Sequence, residues 1–137
     1  MIQTRIGHAV YGIAMANAVF YRDLLAFLGW SVIFDTPDMF GAGVPTGASL
    51  WFEPATKPVA NDYDGPGLNH LAFAAASQTD VDAVVAHLKT IGVAPLFETP
   101  RHRPEFSRGE GQTYYQVMFE SPDRLLFEVV YTGPKQD

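Results

Sequence analysis

The stretch IGHAVYGI at residues 6–13 returns as LNHLAFAA at residues 68–75, and this recurrence decides the fold. Each copy leads into an apolar helix-like segment, a glycine, and a strand-like segment that ends in the pattern Phe-x-Thr-Pro. The two glycines, Gly29 and Gly92, lie 63 residues apart (92 − 29), and the Phe-x-Thr-Pro patterns keep the same spacing. A period of nearly half the chain indicates a duplicated module rather than a solenoid of many short repeats.

The hydrophobic pattern predicts the same order of elements in both copies. In the first copy, Phe20, Leu24 and Leu28 recur at helical spacing before the glycine. In the second, Ser77 and Asp80 form a capping pattern ahead of another apolar helical stripe. The predicted strands, in chain order, are residues 5–13, 30–36, 40–44, 48–53, 68–75, 93–99, 113–120 and 125–131.

These elements predict an α+β fold built from two tandem βαβββ modules. The proline- and glycine-containing stretch at residues 54–67 is typical of a linker. We expect the modules, residues 1–56 and 67–131, to lie in a single domain of residues 1–137. Packed side by side, their strands would form a curved, mixed sheet that encloses a cleft.

The composition excludes several classes of protein. There are 9 basic and 15 acidic side chains, for a formal net charge of −6, whereas a nucleic-acid-binding surface needs an excess of basic residues. The chain has no cysteine, which removes disulfides, cysteine-ligated zinc and cysteine nucleophiles. It shows neither a signal peptide nor an apolar run of roughly 20 residues. We therefore expect a cytoplasmic protein that binds neither nucleic acid nor membrane.

A histidine near the start and a glutamate near the end recur in both modules. His8 and His70 occupy matching places in the repeated first strand, and the segments LWFE and LLFE end at Glu53 and Glu128. Imidazole and carboxylate ligands on rigid strands suit a catalytic divalent metal. Glu128 lies in a very apolar segment, where a lone buried charge is costly without a positive partner. A single histidine or glutamate in a strand is more often structural, so the repetition itself carries the prediction of a metal site.

Three further residues are candidates for binding a substrate. Arg103 lies in a polar loop at residues 100–112, which can act as a lid whose guanidinium pairs with a substrate carboxylate or enolate, the alternative being a solvated loop. Tyr114 and Tyr115 must face opposite sides of their strand, so one of them can face the cleft, and Tyr115 is the candidate. Trp51 shares a strand face with the nearby glutamate and would line the same cavity, unless it is simply part of the core.

Three segments that span both modules carry a family resemblance. They are IGHAVYGIAMANAVFYRDLLAFLGW, GPGLNHLAFAAASQTDVDAVVAHLKTIGV and YYQVMFESPDRLLFEVVY. They resemble the vicinal oxygen chelate superfamily, which includes glyoxalase I, extradiol dioxygenases, fosfomycin- and bleomycin-resistance proteins and methylmalonyl-CoA epimerase. In the last segment, Ser121 and Arg124 depart from the aspartate and glycine usual in that family. The four ligand positions of the family fall on His8, Glu53, His70 and Glu128, of which Glu53 is the least specific match.

The resemblance implies a metal-dependent enzyme that binds neighbouring oxygens of a small substrate to one divalent ion. With Glu53 as the fourth ligand, the site resembles that of a glyoxalase I-like lyase or isomerase, in which Glu53 or Glu128 moves a proton beside a carbonyl. With three protein ligands it resembles an extradiol dioxygenase site, and a metal-free drug-binding resistance protein is the third alternative. Nickel, cobalt, zinc, manganese and iron all suit this ligand set. The family resemblance also implies a homodimer.

Overall fold

The computed structural model describes residues 1–137 and divides the chain into two compact units, residues 1–60 and 61–137. Each unit contains one α-helix and one four-stranded mixed sheet in the order βαβββ, which confirms the predicted fold class. The last part of the predicted linker belongs to the second unit, where Tyr63 is buried against Met118. Neither helix is both long enough and apolar enough to span a membrane.

Unit 1 is a sheet that packs one face against its helix. Its elements are β1 (His8–Ile13), a 3-10 turn (Met15–Asn17), α1 (Ala18–Phe27), β2 (Ser31–Thr36), β3 (Met39–Gly43) and β4 (Ser49–Pro54). The strand order is β1-β4-β3-β2, and β1 is parallel to β4. Leu50 and Phe52 of β4 are buried, and the Phe52 ring lies 4.7 Å from that of Tyr21 in α1. Because side chains alternate along a strand, Trp51 and Glu53 lie on the opposite, more open face.

Unit 2 repeats this arrangement. Its elements are β5 (Leu71–Ala74), α2 (Gln78–Thr90), β6 (Leu96–His102), a 3-10 turn (Pro104–Phe106), β7 (Gln112–Glu120) and β8 (Leu126–Pro134). The strand order is β5-β8-β7-β6, and β5 is parallel to β8. The Ser77 hydroxyl accepts a hydrogen bond from the Asp80 backbone N–H at 3.1 Å, which confirms the predicted cap of α2. Gly92 follows that helix with φ +73°, a conformation that glycine adopts without strain.

Strand β8 is buried on both faces. Phe127 and Val129 are 1% and 2% exposed, and the intervening Glu128 is only 1% exposed. Since successive side chains alternate between faces, Glu128 lies on the face opposite Phe127. The Phe127 ring packs against Phe119 of β7, so that face belongs to the apolar core. A carboxylate buried on the other face must have its oxygens satisfied by neighbouring groups.

The second strand of unit 2 differs from its prediction, because β6 begins three residues later and pairs irregularly with β7. Phe97 and Glu98 have φ +56° and +59°, in the left-handed region. The Thr99 hydroxyl donates to the Leu96 carbonyl at 2.7 Å and accepts from the Met118 N–H at 3.0 Å. Thr99 therefore supplies hydrogen bonds that the irregular backbone does not.

The turn between β7 and β8 accommodates an arginine where the family resemblance implied a glycine. Arg124 has φ +61°, and its N–H donates to the Ser121 carbonyl at 2.9 Å. Its guanidinium lies 4.3 Å from the centre of the Tyr63 ring and donates to Asp64 at 3.2 Å. These contacts offset part of the cost of a left-handed conformation in a residue other than glycine.

Candidate metal centre

His70 and Glu128 meet on one face of unit 2. Because β5 begins at Leu71, His70 lies just before the strand rather than inside it. In the parallel pair of β5 and β8, Glu128 lies opposite Ala72, two residues after His70 and on the same face. His70 Nε2 is 3.0 Å from Glu128 Oε2. The histidine side chain is 37% exposed and that of the glutamate 2%, so solvent reaches the pair from the histidine side.

The fixed carboxamide of Asn69 determines which ring nitrogen of His70 carries a proton. Asn69 Nδ2 donates to the Tyr63 carbonyl at 2.8 Å, so Asn69 Oδ1 is the atom 2.8 Å from His70 Nδ1. A carboxamide oxygen can only accept, and Nδ1 therefore carries a proton. In the neutral imidazole, the Nε2 lone pair is then directed at Glu128. Metal-binding histidines are oriented in this way, by a hydrogen bond from the nitrogen that does not bind the metal.

Two donors occupy the other oxygen of the carboxylate. The Tyr114 hydroxyl donates to Glu128 Oε1 at 2.5 Å, and Gln116 Nε2 donates to the same atom at 2.7 Å. Burial raises the pKa of Tyr114 well above its ordinary value, and the hydrogen bond to Glu128 raises it further, so this hydroxyl stays protonated near neutral pH. Glu128 Oε1 has thus used both lone pairs, while Oε2 faces His70.

The pair fits the chemistry of a divalent metal. An imidazole lone pair and a carboxylate oxygen repel each other unless a cation, either a proton or a metal ion, stands between them. The two facing atoms, His70 Nε2 and Glu128 Oε2, are of the types that would hold a divalent ion, an imidazole nitrogen and a carboxylate oxygen. The structure contains no group of three or more His, Asp or Glu side chains that could hold a metal ion. Of the predicted ligands, it brings together His70 and Glu128.

Unit 1 carries the other two predicted ligands on the open face of its sheet. His8 begins β1 and is exposed, and Glu53 lies near the end of β4 and is half-buried. His8 lies opposite Ser49 and Glu53 opposite Gly12. Four register positions separate the two side chains, which corresponds to about 13 Å along the strands. Within unit 1, therefore, His8 and Glu53 are not neighbours.

The strand position in unit 1 that corresponds to Glu128 in unit 2 is occupied by Trp51, not by Glu53. Trp51 lies opposite Val10, two positions after His8. In the same way, Glu128 lies opposite the residue two positions after the histidine of its own unit. The strand register thus puts an aromatic side chain, and not a carboxylate, at the matching position.

The Trp51 ring is held in place by neighbours from β2, β3 and β4. Its Nε1 donates to Ser49 Oγ at 3.0 Å. The ring covers Gly41 on the adjacent strand, where an added Cβ would lie 2.7 Å from two of its carbons. Phe34 of β2 lies at a ring distance of 5.8 Å. The predicted substrate-binding role of Trp51 stays a prediction, and its position on the open face is compatible with that role.

Of the two adjacent tyrosines, Tyr114 is the one that reaches Glu128. The Tyr115 hydroxyl donates instead to Asp82 of α2 at 2.6 Å, on the opposite face of β7. Burial, together with this hydrogen bond, raises the pKa of Tyr115 to about 12. The structure therefore favours Tyr114 over Tyr115 as the tyrosine of this site.

Arg103 is tied to neighbouring side chains. Its Nε donates to Glu105 at 2.6 Å and its Nη1 donates to Gln116 Oε1 at 3.0 Å. The guanidinium also lies 4.7 Å from the centre of the Phe106 ring. The hydrogen bond from Arg103 lowers the pKa of Glu105, so this pair is charged at neutral pH. Arg103 is therefore linked to Glu128 through Gln116, an arrangement that the expected lid does not include.

Sequence reasoning missed two polar partners of the site. Asn69 directly precedes the histidine, and Gln116 follows Tyr114 by two residues along β7. Polar groups two residues apart in a largely buried strand lie on one face, next to the strand that carries Glu128. Two polar residues at alternate positions of an apolar strand were the sequence signal that could have identified Tyr114 and Gln116 together.

Two βαβββ modules and a histidine–glutamate pair on a sheet face define the class of this protein. The chain belongs to the Glyoxalase/Bleomycin resistance protein/Dioxygenase superfamily, whose family model matches residues 5–129. This match confirms the family resemblance inferred from the sequence.

Similar proteins include one curated relative and several solved structures. The uncharacterized protein YqjT of Bacillus subtilis (strain 168) is 42% identical over 64 residues, which is 47% of this chain and 46% of YqjT, so the match spans about half of that relative. A candidate glyoxalase from Bacillus halodurans has a TM-score of 0.76 at 26% identity, covering 94% of this chain and 96% of that one. The fosfomycin resistance protein FosX of Listeria monocytogenes, solved with manganese(II) and sulfate, has a TM-score of 0.67 at 17% identity, covering 96% and 93%, and shares the fold.

Proposed function

We propose that the chain is a metal-dependent enzyme that acts on a small oxygenated substrate. The observation that supports this most strongly is the buried Glu128 carboxylate, whose Oε2 lies 3.0 Å from Nε2 of His70 while fixed neighbours hold both groups. These two residues would hold the ion together with His8, and Glu53 is proposed either as the fourth ligand or as the proton-transferring group beside the ion. When bound, a divalent ion would stabilise an oxyanion or enolate formed on two neighbouring substrate oxygens. The manganese(II) in FosX supports divalent metal binding by this fold.

The first candidate reaction is a glyoxalase I-like proton transfer, catalysed by a lyase or isomerase. Glu53, half-buried on the open face of β4, would remove or return a proton beside a substrate carbonyl. Glu128 would bind the metal or move a proton through Oε2, because Tyr114 and Gln116 occupy its other oxygen. Trp51, on the same strand face as Glu53, would line the substrate cavity.

The second candidate is extradiol-type ring cleavage, and the position of Trp51 favours it. With Trp51 at the place that matches Glu128, the protein ligands would be His8, His70 and Glu128 alone. Two histidines and one carboxylate leave open positions for a substrate and oxygen on Fe(II). The two candidates therefore differ in whether Glu53 has a role in the reaction.

Metal analysis of protein purified without chelators tests the proposal. Bound nickel, cobalt or zinc would support proton transfer, whereas iron with oxygen-dependent activity would support ring cleavage. Protein that carries no divalent metal and binds neither added Mn²⁺ nor added Co²⁺ would contradict both reactions. A metal-free drug-binding protein would then be the remaining candidate.

Glu53→Gln separates the two reactions, since it removes the carboxylate and keeps the side-chain volume. If Glu53 is the proton-transferring base, we expect turnover to fall by about 10²- to 10⁴-fold with unchanged metal content. The measurement is exchange of a carbon-bound hydrogen of a small hydroxyketone into deuterated water, followed by NMR. Glu98→Gln, at an exposed glutamate of β6, is the matched control. If Glu53→Gln leaves both exchange and metal content unchanged, proton transfer by Glu53 is wrong and ring cleavage gains support.

We further propose that the protein is a homodimer, as its family implies. Sedimentation velocity at micromolar concentration should then give a mass about twice the 15.1 kDa of one chain. A single species of 15.1 kDa throughout that range would rule out a stable dimer.

A further inference from the structure

Arg103 determines the orientation of the Gln116 carboxamide. A glutamine amide can be turned so that either its oxygen or its nitrogen faces a given neighbour, and the surrounding groups decide which. Arginine offers only donors, and Arg103 Nη1 lies 3.0 Å from the Gln116 amide. The oxygen of the amide must therefore face Arg103, and its nitrogen must face the opposite way.

That opposite direction leads to Glu128. Gln116 Nε2 lies 2.7 Å from Glu128 Oε1, and the two residues are 3% and 1% exposed. The Tyr114 hydroxyl supplies the second donor to the same oxygen. One carboxylate oxygen is thereby saturated, and Oε2 is left as the atom open toward His70.

Arg103 is itself held rigidly enough to impose this orientation. Glu105 accepts from its Nε at 2.6 Å, and the Phe106 ring lies under the guanidinium. Its side chain is 21% exposed, so much of it is removed from solvent. An arginine engaged on three sides is poorly suited to swing toward a substrate, but well suited to fix a neighbouring amide.

We infer that Arg103 is a positioning residue of the metal site, which acts through Gln116 to make Glu128 bind metal through Oε2 alone. The part of this inference that concerns metal rests on the proposed function. The part that concerns the amide belongs to the metal-free protein, where it can be measured separately. It gives Arg103 a different role from contact with a substrate carboxylate.

Arg103→Met tests the inference, with Arg101→Met as the matched control. Arg101 lies on β6, which ends one residue before Arg103, and its guanidinium pairs with the exposed Glu98 at 3.4 Å. Both variants therefore remove one positive charge from the same part of the chain. We expect Arg103→Met to weaken Co²⁺ binding by about 10- to 100-fold, as is typical when an outer partner of a metal ligand is lost. Arg101→Met should stay within about twofold of the parent protein. Calorimetric titration with Co²⁺ measures both.

A double-mutant cycle with Gln116→Met shows whether the two residues act in one chain. Gln116→Met alone should weaken Co²⁺ binding as much as Arg103→Met does, and the double variant should be no weaker than either single one. Gln116→Met also provides the test if Arg103→Met does not fold. Additive effects, or Co²⁺ affinity in Arg103→Met equal to that of Arg101→Met, would overturn the inference.

The side-chain amide resonance of Gln116 gives a readout in the absence of metal. We expect it to shift in Arg103→Met and to stay in place in Arg101→Met, because only the first change releases the amide. An unshifted resonance in Arg103→Met overturns the inference whether or not the protein binds metal. The resonance can shift in Arg103→Met although the parent protein binds no Co²⁺. The proposed function and the role of Arg103 in metal binding are then both wrong. The orientation of the Gln116 amide by Arg103 is still supported.

Discussion

Glu128→Gln should abolish metal binding and leave the fold intact, whereas Glu128→Ala should lose both. An amide in place of the carboxylate keeps an oxygen that accepts from Tyr114 and Gln116, and its NH₂ can donate to the lone pair of His70. We therefore expect the free energy of unfolding to change by about 1 kcal/mol or less in Glu128→Gln. Metal affinity should fall by more than about 100-fold, which exceeds the loss of an outer partner.

Alanine at position 128 leaves the buried amide of Gln116 and the partly buried hydroxyl of Tyr114 without an acceptor. Each unsatisfied donor costs about 1–3 kcal/mol, so Glu128→Ala should lower the free energy of unfolding by about 2–6 kcal/mol. Urea unfolding of the metal-free variants and Co²⁺ titration of the folded ones measure the two effects separately. Metal affinity in Glu128→Gln equal to that of the parent protein would remove Glu128 from the ligand set.

His70→Ala is expected to lose metal binding with a smaller loss of stability. The variant removes the nitrogen that faces Glu128 Oε2, and Co²⁺ affinity should fall by more than about 100-fold, as for a lost ligand. In the metal-free protein, the histidine is one hydrogen-bond partner of a carboxylate that keeps two others. Its side chain is 37% exposed, so we expect a cost of about 1–3 kcal/mol at most.

His102→Ala is the matched control for His70→Ala. His102 also has one ring nitrogen engaged, by the Thr113 hydroxyl, and burial lowers its pKa, so its imidazole is neutral at neutral pH. It differs from His70 in that its ring stacks on Tyr115 instead of facing a buried glutamate. Calorimetry should show unchanged Co²⁺ affinity in His102→Ala. Equal losses in the two variants would mean that His70 is not a specific ligand.

The fold could be predicted because each module repeats local signals that tertiary packing does not override. The cap at Ser77 and the end of α2 just before Gly92 are local consequences of those residue types, and the sequence predicted both. The bounds of β5 and β6 could not be predicted as well. The irregular segment around Phe97 depends on the hydrogen bond that Thr99 accepts from Met118 of β7, and no local sequence pattern predicts this contact.

The histidine and glutamate of unit 2 could be predicted as partners, because a buried carboxylate needs a positive or hydrogen-bonding neighbour. The corresponding pair of unit 1 could not be predicted reliably. The endings LWFE and LLFE suggested that Glu53 matches Glu128, yet the register of β1 with β4 puts Trp51 at that place. A slip of two residues keeps every side chain on the same face of a strand. Hydrophobic alternation therefore cannot distinguish Trp51 from Glu53, and only the pairing of distant strands decides between them.

The contact between Trp51 and Gly41 predicts how sequences of this family change together. Any side chain added at position 41 would collide with the indole, so an aromatic residue at position 51 requires a glycine opposite it. A branch of the family that acquires a carboxylate at position 51 loses this constraint, and larger residues become acceptable at position 41. Residues at positions 41 and 51 should therefore vary together. Relatives with an aromatic residue at position 51 should keep glycine at position 41, and relatives with a metal-binding carboxylate at position 51 should not need it.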